Sequence, residues 1–356
     1  MKTHKSLWPL TAALLLLLCS VCTSCSLMEE WKDAFSPAAQ AESVDVSFRA
    51  SLPSTKGAVS GEGDAVRRLD LVVFRHADGE LDYKGYAEDA EGVSSISATV
   101  TANRSLDWWI VANAPASLLD DVTDEESFLA NVTLLSHTTS TTMVMHASGT
   151  DTFTELHHSI SATLYRYACK VSVQGVSVRY LDSFDAVPSC TLETVALVNA
   201  RGQCPLDGTP SGASSGTWYN CSEIDGALTG IAADCLVASP SLAIGSSAKA
   251  ALSVELYCMP NPSTAADNAA TDVAASRSWA PRATRIVLGL RIGGVLQWYP
   301  IDLPSMVGNR HYVVSDVVIN GPGTSAPDMG VDYAAVSYGV SIQTWESENH
   351  NVGFGT

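Results

Sequence analysis

The sequence predicts an all-β protein with two β-sandwich domains in tandem, and three observations carry that expectation. Apolar residues recur at period two along much of the chain, the mark of strands with one buried face. Charged residues are only 16% of the composition against 46% hydrophobic, a balance that suits a Ser-, Thr-, Val- and Gly-rich β-protein rather than a disordered chain. The length, 356 residues, suffices for two domains with their own cores. The net charge of -18 argues against nucleic acid and against a polybasic membrane patch, because like charges repel.

The first segment is an address. Lys2, His4 and Lys5 form a basic region, and Leu7–Leu18 is an apolar stretch too short for a stable span, so residues 1–24 are expected to be an export signal. Cys19, Cys22 and Cys25 imitate metal-ligand spacing, but they sit in or beside that signal with no fourth ligand, and no metal is assigned. Ser24-Cys25, with Cys22 three residues before Cys25, resembles a bacterial lipobox, in which Cys25 is acylated and becomes the first residue. Acyl chains there would anchor the protein to a membrane without a spanning helix. Residues 25–43, with Glu29 and Glu30 near their start, have the composition of a tether.

Strands follow in order. Val44, Val46, Phe48, Ala50 and Leu52 alternate with Asp45, Ser47, Arg49 and Ser51. Residues 53–66 are a Gly-rich loop. Leu69–Phe74, Leu106–Ala112 and Met143–His146 are expected strands, and Thr123 with Glu126 before Phe128 suggests a capping box that starts a helix. The second half continues with strands around Val171–Val178, Val195–Val198, Leu252–Leu256, Ile286–Ile292, Val295–Ile301 and Tyr312–Ile319. Gly293-Gly294 is a two-residue hairpin turn, and Val336, Tyr338, Val340 and Ile342 form a last alternating strand. The domains are expected at 44–160 and 161–356.

No catalytic group, metal site or cofactor site emerges. Gly212-Ala-Ser214-Ser-Gly216 has the letters of a nucleophile elbow but lacks the flanking strand and helix. His157-His158 lacks further ligands at metal spacing. Among exposed-aromatic candidates, Trp108 and Trp109 point to opposite faces of one strand, so one is expected in the core, while Trp218-Tyr219 in a loop is the better sugar-stacking candidate. Cys169, Cys190, Cys204, Cys221, Cys235 and Cys258 all fall in the second half, and spacing leaves their pairing open.

Four segments carry a family resemblance: Ala65-Val-Arg-Arg68-Leu-Asp-Leu-Val-Val-Phe, Leu106-Asp-Trp-Trp-Ile-Val-Ala-Asn113-Ala, Thr142-Met-Val-Met-His-Ala-Ser148, and Asn309–Gly323 with a closing Thr344-Trp345-Glu346. Together they resemble fimbrillins, the subunits of type V pili in mouth and gut anaerobes, over residues 44–356. The resemblance implies two transthyretin-like β-sandwich domains, lipoprotein export and outer-membrane cleavage after a basic residue. It also implies polymerisation by donated β-strands, with other fimbrial subunits as partners and the outer membrane reached through lipid. The structural-subunit role stands beside two alternatives, a lipid-retaining anchor or tip adhesin of the same pilus and a glycan-binding surface lipoprotein. For cleavage, Lys56 in the Gly-rich loop is the first choice and Arg49 the second, ahead of Arg67 and Arg68. Removal of the strand bearing Val44, Val46, Phe48 and Ala50 would open a groove, and Val336, Tyr338, Val340 and Ile342 are the expected donor residues.

Acylation is directly testable. Labelled palmitate should enter the wild-type chain and be lost in Cys25→Ala, and label retained in that variant would overturn the lipobox assignment.

Overall fold

A computed structural model describes residues 43–52, 65–138, 142–210, 217–220, 236–245, 249–264, 283–327 and 334–345. The expected signal peptide, Cys25, the tether up to residue 42, Lys56, Gly212–Gly216, Cys221 and Cys235 lie outside the described residues, while Ser43, expected to end the tether, opens β1. The first half comprises β1 (Ser43–Ser51), β2 (Arg68–Arg75), β3 (Leu81–Glu88), β4 (Ser95–Thr101), β5 (Ser105–Ala112), helix α1 (Glu125–Ala130), β6 (Val132–Leu134), β7 (Met145–Thr152), β8 (Ser159–Thr163) and β9 (Tyr165–Arg166). The second half comprises β10 (Cys169–Val173), β11 (Val176–Val178), β12 (Cys190–Val198), β13 (Ala200–Arg201), β14 (Gln203–Pro205), β15 (Trp218–Tyr219), β16 (Val237–Ala238), β17 (Leu242–Ala243), β18 (Val254–Cys258), β19 (Arg285–Ile292), β20 (Val295–Asp302), β21 (Arg310–Ile319) and β22 (Val336–Thr344). The protein is all-β, as its period-two pattern predicts.

In the first half a sheet of order β4-β1-β8 faces a sheet of order β3-β2-β5-β7-β9. The two meet through Phe48 of β1, whose ring stands edge-on to Trp108 of β5 at 5.7 Å and to Phe153 at 5.8 Å. Trp108 and Trp109 do point to opposite faces, and both are covered. Trp108 lies in the core with its Nε1 donating to Asp151, and Trp109 packs under α1 on Phe128. In the second half β21 carries β10 and β11 in parallel on one side and β22 antiparallel on the other, with β18 beyond β10. Facing it, β12 pairs with β19 on one side and with β16 and β17 on the other, and β20 closes the far edge. The Gly293-Gly294 turn joins β19 to β20 with φ of 57° and 90°, the left-handed backbone a type I′ hairpin needs.

One packing device appears in both halves. Trp108 lies across from Gly149 on β7, and Trp298 lies across from Gly289 on β19. A Cβ added at Gly149 would sit 2.6 Å from Trp108 Cζ2, and one at Gly289 would sit 2.8 Å from Trp298 Cζ3. Each indole packs against a neighbouring backbone that carries no side chain.

Several expectations need correction. The sequence reading has no strand at β3, β4, β6 or β8, because their alternating residues are small or mixed. In β4 the buried set is only Ile96, Ala98 and Val100. The strand expected at Met143–His146 runs instead over Met145–Thr152 as β7. The helix cap is Asp124 rather than Thr123, and its partner is Ser127 rather than Glu126. The Asp124 carboxylate accepts from Ser127 N at 2.8 Å while Asp124 N donates back to Ser127 Oγ at 3.1 Å. Asp outranks Thr as a cap acceptor, so the helix starts one residue later. Those hydrogen bonds hold the Asp124 carboxyl below its ordinary range.

The two halves are stitched together. Strand β6 pairs antiparallel with β14, and the bonds Leu135 N to Gly202 O and Leu206 N to Asn131 O extend that ladder. Tyr167 donates to Leu206 O at 2.6 Å and stacks on His146 at 4.4 Å. Burial pushes the His146 imidazole down to about 4, with nearby Asp207 opposing the shift only in part. The unfolded chain therefore takes up a proton on falling through about 6.5 that the folded chain refuses. The contribution of this group is fully present above that pH and is lost as pH falls toward about 4.

Two outcomes follow from this packing. The wild-type melting temperature should fall more between pH 6.5 and 4 than that of His146→Phe, which keeps the stack without the proton site, and parallel thermal melts read the difference. Phe48→Ala should cost about 3–5 kcal/mol in the uncleaved chain, measured by urea unfolding, because the cavity opens between two apolar sheets.

Candidate strand-exchange site

Strand β1 is the centre of its sheet, held on both sides. It runs antiparallel to β4 from Ser43↔Thr101 to Arg49↔Ser95 and parallel to β8 from Ser47↔Ser159 to Ser51↔Thr163. Ladder ends are closed by Ser47 N to His158 O, Ala50 N to Ser94 O and Leu164 N to Ser51 O, all within 3 Å. Val46 and Phe48 are fully buried, while Val44 and Ala50 are half-buried against the same core. The walls they meet are Ile96, Ala98 and Val100 on β4 and Ile160 and Ala162 on β8. The outward residues Ser43, Asp45, Arg49 and Ser51 form the wet face, with Asp45 accepting from Thr99 Oγ1 at 2.6 Å. Sequence predicted the residues of β1 but not its two neighbours.

The basic residues near the first loop differ in setting. Arg49 has an exposed side chain but its backbone lies in the doubly paired β1. Arg68 begins β2 and makes a bidentate bond to Asp70, Nε to Oδ2 at 2.8 Å and Nη2 to Oδ1 at 2.7 Å. Its guanidinium also stacks on Tyr86 at 4.2 Å. The hydrogen bonds from Arg68 to Asp70 raise the Arg68 pKa, while burial dominates at Asp70 and raises its pKa against the pull of Arg68. Arg67 lies between them and the loop, with its N–H bound to Asn113 Oδ1 at 2.9 Å.

Three of the resemblance segments converge on that asparagine. Asn113 Nδ2 donates to Ala65 O at 2.9 Å and to Met143 O at 3.0 Å, and its own N–H reaches Arg68 O. Asn113 has φ of 57°, a left-handed turn that Asn tolerates. The chain leaving the Gly-rich segment is thus pinned at Ala65 and Arg67, just before β2.

The candidate donor β22 lies along β21 in its own sheet, from Arg310↔Thr344 to Ile319↔Val336, with a bulge where Asp316 takes φ of 51°. Its apolar face is covered unevenly. Val336 is buried, Tyr338 and Val340 are half-buried, and Ile342 is 53% exposed. Beyond the strand Trp345 turns inward, stacks on Tyr257 at 5.6 Å and lies over Arg166 at 4.8 Å. Arg166 donates to Trp345 O at 3.0 Å and to Asn309 Oδ1 at 3.3 Å. Sequence reasoning missed this anchor, for which a buried arginine far away in the chain gives no local signal.

Trp218 and Tyr219 form the short strand β15 against β13, both half-buried, with Arg201 stacked on Trp218 at 5.5 Å, so they are not the open sugar platform expected of a loop. His157 and His158 lie on an exposed turn, where His158 Nδ1 meets Glu155 O. Among the described residues no helix is long and apolar enough to cross a membrane.

No family model and no curated protein sequence matches this chain. Solved structures do. A candidate cell adhesion protein from Bacteroides eggerthii superposes with a TM-score of 0.61 at 17% identity, over 85% of this chain and 96% of that one. A second, from Parabacteroides distasonis, gives 0.57 at 16% identity over 86% and 98%. A fimbrilin from Porphyromonas gingivalis gives 0.55 at 16% identity, again over 86% and 98%. At such identities the likeness speaks for the backbone arrangement, and it spans nearly the full length of each neighbour: the chain has the β-sandwich fold of fimbrillins.

Proposed function

We propose that this protein is a structural subunit of a surface fimbria, exported as a lipoprotein, cut in the loop after β1 and assembled by β-strand donation to support adhesion. The observation that carries this is the contrast between two strands in different sheets. β1 is a central strand joined to the body through a Gly-rich loop, and β22 is an edge strand with an apolar residue, Ile342, left in water. Cleavage after Lys56 would free β1, leaving backbone groups of β4 and β8 unpaired and the Val46 and Phe48 pockets open. Arg49 is the poorer site, because its peptide bond lies inside the double ladder and a protease needs extended, unpaired chain.

A strand from a neighbouring subunit would close that groove by β-augmentation. Val336, Tyr338, Val340 and Ile342 repeat the spacing of Val44, Val46, Phe48 and Ala50, with Ser337, Gly339, Ser341 and Gln343 outward. Fimbrial and adhesion-associated proteins sharing the fold support the role. The cation-poor, acidic surface fits a protein that meets other proteins rather than nucleic acid.

Ile342→Glu tests the donor. In the monomer the new charge faces water and the melting temperature should stay at the wild-type value. In a donated strand the charge would enter an apolar pocket at a cost of roughly several kcal/mol, so the variant should remain a soluble monomer and be absent from fibres. Deleting residues 334–356 should do the same. Fibres of normal length from the truncated chain would overturn the donor assignment. N-terminal sequencing of the fibre subunit should begin after Lys56, and a start at lipidated Cys25 would mark an anchor instead.

A further inference from the structure

Cys169 opens β10 and Cys258 ends β18, and they stand directly opposite each other in the antiparallel ladder Cys169↔Cys258, Val171↔Leu256, Val173↔Val254. Both are fully buried and both are free thiols here. Directly opposed residues of an antiparallel pair have Cα atoms about 4.5–5.5 Å apart, inside the roughly 4.4–6.8 Å window of disulfides. Their side chains share the inward face with Val171 and Leu256, so the sulfurs point the same way. The two thiols are also hydrogen-bonding neighbours, and burial together with that contact raises the Cys169 pKa well above its ordinary value. Cys169 Sγ makes one further weak bond, to Val307 O at 3.2 Å.

We propose that Cys169 and Cys258 are joined by a cross-strand disulfide in the exported protein. The other described cysteines fit less well. Cys190 lies on β12 in the facing sheet, and Cys204 lies on β14 in the ladder with β6. The compartment is taken from the proposed export; the pairing itself rests only on the register of β10 and β18.

The chemistry needs an oxidant, and a protein disulfide of a thiol-oxidase supplies it. The thiolate of one cysteine attacks that disulfide, forming a mixed disulfide and releasing one oxidase thiolate. The thiolate of the second cysteine then attacks its partner's sulfur. The Cys169–Cys258 bond forms, the oxidase leaves as a dithiol, and two electrons pass to it. A closed core suppresses both thiolate formation and access, so the bond forms while β10 and β18 are pairing and before the β12-β19 sheet covers them. Its effect is to clamp β18 to β10 across a long chain segment. The sheet that would give up β22 at one edge is thereby held covalently at the other.

Peptide mapping decides the matter on the wild-type chain, where no variant has to fold. Free thiols are blocked with N-ethylmaleimide in denaturant, and tryptic peptides are analysed without reduction. The expected product is Tyr167–Lys170 linked to Ala250–Arg277, both in protein taken from the cell envelope and in full chain refolded with reduced and oxidised glutathione. Alkylated Cys169 and Cys258 in the refolded chain, or a link from either to another cysteine, overturns the pairing. A link in the refolded chain with free thiols and retained residues 1–24 in cells overturns the export reading and upholds the pairing. Free thiols in envelope protein that has lost residues 1–24 overturn the proposal. A reductant should lower the melting temperature of the wild type and leave that of Cys169→Ala/Cys258→Ala unchanged.

Discussion

The central place of β1 between β4 and β8 is the constraint on which the first sandwich depends. Without it those two strands have no common partner, since one pairs antiparallel and the other parallel to it. The same strand brings Phe48, the ring that keys the small sheet onto Trp108 and Phe153 of the large one. A strand that is both a hydrogen-bonding centre and a core plug cannot leave at equilibrium without opening the domain. Its covalent link runs through a Gly-rich segment, so the proposed cleavage there would separate what thermodynamics holds together. The body would then carry an unfilled groove whose walls are already built, and its need for a replacement would be a direct consequence of unpaired N–H and C=O groups.

Two asparagines organise the ends of the sandwiches. Asn113 collects the exit of the Gly-rich loop, the end of β5 and the segment before β7. Asn309 joins Arg166 in β9, at the end of the first half, to Trp345 just beyond β22, with Asn309 N bound to Ala168 O and Trp345 N bound to Asn309 O. Both take left-handed backbone, at φ of 57° and 58°. Asn accepts that conformation at low cost and presents an acceptor and two donors from one short side chain. Such buried knots tolerate no partial satisfaction, because each lost partner strands a polar group in the core. They hold the chain just before β2 and the tail just beyond β22, the two places where strand exchange would act.

The interface between halves joins backbone hydrogen bonds to ring contacts. The β6–β14 ladder supplies backbone bonds, and the Tyr167–His146 stack supplies ring contact with the imidazole kept neutral. The buried and half-buried arginines follow the same logic. Arg68 is matched by Asp70, Arg285 by Asp302 at 2.7 Å, and Arg166 by carbonyl and amide oxygens with an indole face. Planar guanidinium suits each setting, since it can bond in its plane and stack on its face.

By itself the sequence determined the β class, because period-two alternation states which face of a strand is apolar whatever that strand pairs with. It determined β1, β2, β5, β19, β20 and β22 nearly to their ends, and the Gly293-Gly294 turn, whose geometry only a few residue pairs allow. It marked Val46 and Phe48 as inward residues, and it placed Asn113 and Asn309 in segments that resemble fimbrillins without giving either a role. Tertiary structure alone decided the neighbours. Strands β4 and β8 carry Ser, Thr and Ala beside single large residues, so their pattern gains meaning only when β1 lies between them. The anchoring of Trp345 by Arg166 and the facing of Cys169 and Cys258 are contacts between distant parts of the chain. Local periodicity reports the face a residue presents; the partner it meets is set by how the sheets are ordered, and that ordering is a property of the whole chain.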